Sequence, residues 1–258
     1  MISTHKTIER LKMDLLNRHR TIRKYSDKIV SPEILNSIIV DGCRASTTGN
    51  MQLYSIVITT DPDNRKKLVP LHFNQAVAKS APVFLTVCAD FNRFTKWCRI
   101  NKANAGYDNF LSFLTASIDA LIVAQNICIS AEDKGLGICY LGTSTYNARE
   151  IIELLKLPEL VFPVTTLAVG WPDENPSQPD RLAVEAVVHH EKYHDYNDQV
   201  IRDIYFLKEN LKESQLFVKE NGKQNLAQVF TDVRYTKADN EFFSEKILEV
   251  LKEQKFLK

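Results

Sequence analysis

Residues 19–25 read His-Arg-Thr-Ile-Arg-Lys-Tyr, placing His19, Arg20, Thr21 and Arg23 within five positions. Such a set offers charged and neutral donors suited to a phosphate, although alone it reads equally well as a solvated basic turn. A second polar group, at 44–52, supplies Ser46, Thr47, Thr48, Asn50 and Gln52; alone it is an ordinary polar loop. A third, Tyr140-Leu141-Gly142-Thr143, closes a short apolar run. One planar, phosphate-bearing ligand could link all three. The remaining candidate is His190-Glu191-Lys192-Tyr193-His194, an H-E-x-x-H pattern that grips zinc only where a helix puts both histidines on one face. The preceding Leu-Ala-Val-Glu-Ala-Val-Val alternates imperfectly and is rich in valine, which predicts an extended arm. Extended residues four apart lie about 13 Å from each other, too far for one ion. No histidine follows His194 to serve as a third ligand, so the pattern is read without a metal.

Around these groups the elements fall into a mixed pattern. Ile8, Leu11 and Leu15 mark one face of a helix over 4–18, and Ser31-Pro32-Glu33 is a helix start, with the helix ending near Arg44. β-branched apolar runs at 53–60, 83–90 and 165–171 predict strands buried on both faces, with a shorter strand at 137–142. Residues 115–137 are the most apolar stretch. Asp119, Gln125 and Asn126 interrupt it short of the roughly 20 apolar residues a bilayer requires, which predicts a core helix buried all round. Gly135 and Gly137 supply its stop and a close backbone approach. Further helices are expected at 147–156, 198–216 and 238–254. The class is α+β or α/β, and the Pro-rich stretch 171–180 separates a main body from a helical C-terminal third.

Composition narrows the function classes. The 258 residues carry 33 basic and 32 acidic side chains, so no whole-chain field draws the protein onto nucleic acid or an anionic membrane. The five cysteines form no C-x-x-C pair and read as free thiols of a reducing compartment, and the charged N-terminus lacks a signal-peptide h-region, so the cytoplasm is expected. Gly135-Leu136-Gly137 follows a helix and lacks a third glycine, so it is no dinucleotide fingerprint. Neither a P-loop nor a G-x-S-x-G occurs.

The order of H-R-T-I-R-K-Y, A-S-T-T-G-N-M-Q (45–52), V-C-A-D-F-N-R (87–93), A-E-D-K-G-L-G-I-C-Y-L-G (131–142), L-L-K-L-P (154–158) and V-G-W-P (169–172) resembles the FMN-dependent nitroreductase superfamily. The closest branch is that of oxygen-insensitive NADPH nitroreductases and flavin reductases. The resemblance is collinear over about residues 5–195 and looser beyond. It implies an α+β fold with a mostly antiparallel sheet flanked by helices and a long buried helix at a dimer interface. A flavin core would span 1–195, with a helical extension over 196–258 packing on the core or the partner subunit. FMN phosphate and ribityl would be held by His19, Arg20 and Thr21, with Arg23 near flavin N1 and the C2 carbonyl. The loop carrying Ser46, Thr47, Thr48, Asn50 and Gln52 would reach the partner subunit's flavin. Gln75 would lie beside the pyrimidine edge, and Tyr140, Leu141, Gly142 and Thr143 would pack on the isoalloxazine. Arg181 matches a phosphate-binding arginine, whereas Pro179 stands where this branch usually has a lysine.

The implied activity is hydride transfer from NADPH or NADH through flavin N5 to a nitroaromatic, quinone-like or flavin acceptor, in ping-pong order. No side chain acts as acid or base: Arg23 stabilises charge on the reduced ring, and a backbone N–H near Gly142 meets N5. Lys219 and Lys223 around Gly222 are candidates for the NADPH 2′-phosphate on a loop at 217–225, against the plainer reading of a solvated basic loop. Phe94 and Trp97 either line the substrate mouth or pack on their helix. Two other readings stay open: a flavin-binding storage or sensing protein without turnover, and the zinc hydrolase of the H-E-x-x-H pattern.

Overall fold

The computed structural model describes residues 15–258. Most of the helix expected over 4–18, with Ile8 and Leu11, lies outside them; Leu15–Asn17 is helical. From there the chain forms α1 (Pro32–Gly42), β1 (Tyr54–Thr59), α2 (Pro62–Leu71), α3 (Ala76–Ser80), β2 (Val83–Asp90), α4 (Asn92–Ile100), α5 (Phe110–Asp133), β3 (Gly137–Leu141), α6 (Ala148–Leu155) and β4 (Val161–Gly170). It continues with α7 (Asp198–Asn210), α8 (Lys212–Glu220) and α9 (Lys237–Glu253). Two compact units result. One holds the chain to Ser177 together with Lys246–Lys258, the other Gln178–Glu245. This division falls earlier than residue 195 and returns the last turns of α9 to the first unit. Arg149 of α6 pairs with Glu253 at 2.7 Å and Glu249 at 3.2 Å, Lys246 pairs with Glu150 at 2.9 Å, and Phe256 is fully buried.

The first unit is built on a four-stranded antiparallel sheet in the order β1-β2-β4-β3. Every residue of β2 is buried, as a central strand covered on both faces requires. β4 starts four residues earlier than the expected 165, because Pro163 hid it. Proline has no N–H for the ladder, and the register slips beside it, between Val87 and Cys88 on the facing strand. Local signals set the helix starts. Ser31 Oγ accepts from the N–H of Ile34 ahead of Pro32, and Asn109 Oδ1 accepts from the N–H of Ser112 to open α5.

Helix α5 lies on the sheet, with Ala120, Val123, Ala124, Ile127, Cys128 and Ala131 packed among Leu85, Val87, Leu167 and Val169. It is not buried all round. Leu111, Leu114, Ile118, Leu121 and Ile122 leave an apolar stripe open on its other face, Ile118 being 49 % exposed. Asp119, an interruption in the sequence pattern, is buried and has a use described below. In the second unit, the single helix expected over 198–216 is two. Leu211 adopts an extended conformation (φ −62°, ψ 139°), and Asn210 Nδ2 donates to the Phe206 carbonyl at the break.

Candidate active site

The basic segment lies along the β3 edge of the sheet. The N–H of Ile22 donates to the Ile138 carbonyl at 3.0 Å, and a Cβ on Gly137 would stand 2.7 Å from the Ile22 side chain, so only glycine allows the approach. The Tyr25 hydroxyl lies 2.9 Å from the carbonyl oxygens of Ile22 and Ala168, and burial keeps it a phenol by pushing its pKa up. Arg23 is pinned through its backbone. Its N–H and that of Lys24 donate to Glu174 Oε1, and its carbonyl accepts from Ser80 Oγ at 3.4 Å. The guanidinium is left exposed beside Cys139, whose thiol is pushed up by burial and pulled down by the Arg23 charge.

His19 and Arg20 are held at the foot of α5. His19 Nδ1 lies 2.6 Å from Glu132 Oε1. Arg20 contacts Asn175 Oδ1 and the Pro176 carbonyl through Nη1, while its Nε reaches toward the Arg18 carbonyl at 3.5 Å, contacts that do not use the Nη2 edge. Arg18, Arg20, Glu132, Glu174 and Asn175 line a cleft of about 370 Å³. Thr21 stands between Arg20 and Ile22 in the chain and is half-buried.

At the other end of β3, Leu141 is buried and Gly142 opens a tight turn, with nothing within 4 Å of where a Cβ would stand. Tyr140 points its hydroxyl at Gln125 Oε1 (3.3 Å) on α5. Ser144 Oγ, fully buried, lies 2.9 Å from both the Leu141 carbonyl and Thr166 Oγ1. Thr143 is tied to the α2–α3 turn: its Oγ1 lies 2.9 Å from His72 Nδ1, and three residues on stands Gln75, which precedes α3 and is exposed. His19–Arg23, Gln75 and Tyr140–Thr143 are therefore brought to one strand and its flanks. Open space over a bare glycine backbone at one end fits a flat ligand, and at the other the Arg20 guanidinium can meet an anionic group in a cleft that Glu132 and Glu174 also line.

The loop at 46–52 is placed elsewhere on the same unit. Asp119 Oδ1 accepts from the N–H and hydroxyl of Thr48 at 2.9 and 3.0 Å, and its Oδ2 accepts from the N–H of Leu53 at 3.2 Å. Gly49, Asn50 and Gln52 all adopt left-handed backbone (φ 53°, 55° and 53°), and Gln52 Nε2 donates to the Asn50 carbonyl and Oδ1. Ser46 and Thr47 precede this turn, Ser46 being exposed. Along α5, Asp119 stands thirteen residues from Glu132, about 20 Å at 1.5 Å per residue. Within one chain the loop and the His19–Arg20 cleft are thus separate places.

The second unit holds the other candidates. Arg181 is exposed, donates to the Asp180 carbonyl at 2.9 Å, and with Tyr196, Ile204 and Leu207 lines a largely apolar cleft of about 790 Å³. The stretch 217–225 is not one loop. Lys219 is in the last turn of α8, and Lys223 follows Gly222 and pairs with Asp232 at 3.0 Å. Residues 188–197 contain no helix, so His190 and His194 do not share a helical face, and Glu191 adopts a left-handed backbone. The Tyr196 hydroxyl and the His194 N–H bond His189 instead, at 3.1 and 3.3 Å. In the first unit, Phe94 packs edge-on against Phe91 and Tyr107, and Trp97 is 59 % exposed at the margin of that cluster.

Asp119, Glu132, His72 and Glu174 escaped the sequence reading, because each meets its partner far along the chain. For His72 a pH prediction follows. Burial lowers its pKa from 6.5 to about 4, so the unfolded chain binds the proton first. Its neutral form therefore stabilises the fold above pH 6.5, and that contribution is lost as the pH falls toward 4, about 3 kcal/mol in all. The stability difference between wild type and His72→Asn should shift by that amount between pH 7 and 4 in urea titrations. A pH-independent difference contradicts it.

The nitroreductase family matches residues 16–171, a span containing every candidate from His19 to Thr143. The chain belongs to the nitroreductase family. Among curated relatives, the "Oxygen-insensitive NADPH nitroreductase" of Salmonella typhimurium (strain LT2) is 35 % identical over 189 residues, 73 % of this chain and 77 % of that one. The "FMN reductase (NADPH)" of Bacillus subtilis (strain 168) is 31 % identical over 215 residues, covering 79 % and 86 %. A crystal structure of a candidate oxidoreductase from Bacteroides fragilis matches with a TM-score of 0.94 at 54 % identity, over 95 % of this chain and 100 % of that one. The nitroreductase-like, antiparallel α+β architecture expected from the sequence is thus the fold of this chain.

Proposed function

We propose that this nitroreductase-family chain is an FMN-dependent NAD(P)H oxidoreductase acting on flat electron acceptors such as nitroaromatics, quinones or free flavin. The observation that carries this reading is the gathering of His19–Arg23, Gln75 and Tyr140–Thr143 along β3, beside open space at Gly142. Bound FMN would supply the two-electron chemistry between the nicotinamide and the acceptor. Arg20, with His19 and Thr21, holds the anionic end in the cleft beside Glu132 and Asn175. Arg23, fixed through its backbone, would present its guanidinium to negative charge on the ring. Gly142 lets the flat ring lie against backbone. Lys219 is the better candidate for a 2′-phosphate, since Lys223 is paired with Asp232. All five cysteines are free thiols, in keeping with the cytoplasm.

The assembly is a homodimer in this reading. The stripe of Leu111, Leu114, Ile118, Leu121 and Ile122 on α5 is the kind of continuous apolar face that association covers. Asp119, which holds the Ser46–Gln52 loop, stands about 20 Å along α5 from Glu132 at the cleft, which suits service of that loop to a partner's site. Ile118→Lys should convert the dimer to a monomer in light scattering and weaken FMN retention with it; a variant that stays dimeric contradicts the assignment.

The decisive experiment is reconstitution with FMN followed by anaerobic addition of NADPH. A yellow protein whose flavin absorbance bleaches is expected. A chain that neither carries nor takes up FMN overturns the proposal, and one that binds FMN without bleaching is a storage or sensing protein.

A further inference from the structure

His72 is fully buried at the end of α2, with its Nδ1 2.9 Å from Thr143 Oγ1 and its ring 5.8 Å from that of Phe84. Nε2 is buried and meets no hydrogen-bond partner. No acid or base role uses this ring, and nothing in the sequence pattern marked it. Burial holds the imidazole neutral, with its pKa lowered to about 4, so near neutral pH one proton is shared between two nitrogens of unlike surroundings. Were the proton on Nε2, an N–H donor would be buried without an acceptor. On Nδ1, the N–H has Thr143 Oγ1 to donate to, and only an acceptor lone pair is left bare. Buried orphan donors are the rarer and costlier of the two. Donation therefore runs from His72 to Thr143.

The consequence lies at Thr143. Its oxygen accepts from His72, so its own hydrogen must point elsewhere, and among the described residues it has no protein acceptor. The side chain is half-buried, next to Gly142 and the open space over that residue. The turn itself cannot swing to find another partner, because Ser144 is anchored to the Leu141 carbonyl and to Thr166 Oγ1, which in turn lies 3.2 Å from Thr86 Oγ1. We propose that His72 is a positioning residue: by holding its single proton on Nδ1 it commits the Thr143 hydroxyl to donate to an acceptor atom of the bound ligand. In the flavin reading, on which the ligand half of this inference rests, that atom is a carbonyl oxygen or a pyridine-type ring nitrogen of the oxidised isoalloxazine. The turn thereby selects flat heteroaromatics presenting an acceptor on this edge.

Two measurements test this. The first is histidine ring ¹⁵N NMR of the full chain without ligand. It is expected to show a protonated Nδ1 and a pyridine-type Nε2 for His72, assigned by loss of the signals in His72→Asn; the opposite tautomer overturns the proposal. The second is a double-mutant cycle on the FMN dissociation constant, with melting temperature followed in parallel. His72→Leu and Thr143→Val should each weaken binding by about three- to tenfold, the scale of one oriented hydrogen bond. Combined, they should weaken it no further. His72→Asn, whose amide can donate from nearly the Nδ1 position, should stay within about twofold of wild type, given the small net worth of one neutral hydrogen bond. Additive losses, or no rescue by asparagine in a folded variant, overturn it. A wild-type chain that binds no FMN at all instead overturns the flavin reading, and the NMR result still decides the tautomer.

Discussion

Asp119→Ala is expected to lower stability by roughly 3 kcal/mol, since three hydrogen bonds to one buried acceptor vanish together. For a chain of this size that corresponds to a fall in melting temperature of about 6–12 °C. Leu53 is fully buried, so its N–H is stranded without a partner, while Thr48 loses both a backbone and a hydroxyl bond. The loop these groups hold is strained: Asn50 and Gln52 sit in left-handed backbone, at about 1 kcal/mol each for residues with a Cβ. Arg93 helps to keep it there, donating to the carbonyls of Gln52 and Tyr54. Without Asp119 that strain is released by movement of the segment carrying Ser46–Gln52, so FMN retention in the proposed dimer should fall along with stability. Asp119→Asn, which keeps one acceptor oxygen, should fall between the two. Thermal unfolding of the three proteins side by side decides it; a melting temperature within about 2 °C of wild type for the alanine variant sinks the idea, being less than 1 kcal/mol.

Arg23→Gln should act on the reaction and spare the fold. The backbone of this residue is fixed by Glu174 and Ser80 regardless of its side chain, and the guanidinium itself is exposed. In the proposed flavin site, removing a pre-positioned charge from where negative charge would develop costs about 100-fold in rate. Flavin reduction by NADPH, followed in stopped flow, should slow by that factor with the melting temperature unchanged. Arg23→Lys should recover only part of the rate, because an ammonium supplies the charge without the planar pair of donors. A loss smaller than about threefold, below even one ordinary hydrogen bond, would remove Arg23 from the role assigned to it.

The proposed site was legible in the sequence only as separate pieces. His-Arg-Thr-Ile-Arg and Tyr-Leu-Gly-Thr stand more than a hundred residues apart, yet the hydrogen bond from Ile22 to Ile138 brings them to one strand. Gly137 was readable as a close-approach residue, and the Ile22 side chain is what approaches. Two of the expectations that failed, both in the first unit, did so for identifiable reasons. Pro163 masked the start of β4, because the pattern rules treat proline as a strand breaker, whereas a bulge accommodates it. Helix α5 looked buried on every side because hydrophobicity alone does not distinguish burial in a chain's own core from burial by association.

What the sequence determined by itself was short-range: the caps at Ser31 and Asn109, each satisfied three residues onward, the strand and helix periodicities, the glycine stops, and the chemistry available in each polar cluster. What tertiary structure decided was pairing at long range. Thr48 meets Asp119 and Thr143 meets His72, each across 71 residues, and the Arg23 N–H meets Glu174 across 151. A cap leaves a signature because both partners fall within one turn and recur at fixed spacing. A buried carboxylate or imidazole that accepts or donates across the fold leaves none, since closing so long a loop depends on every element packed between its ends.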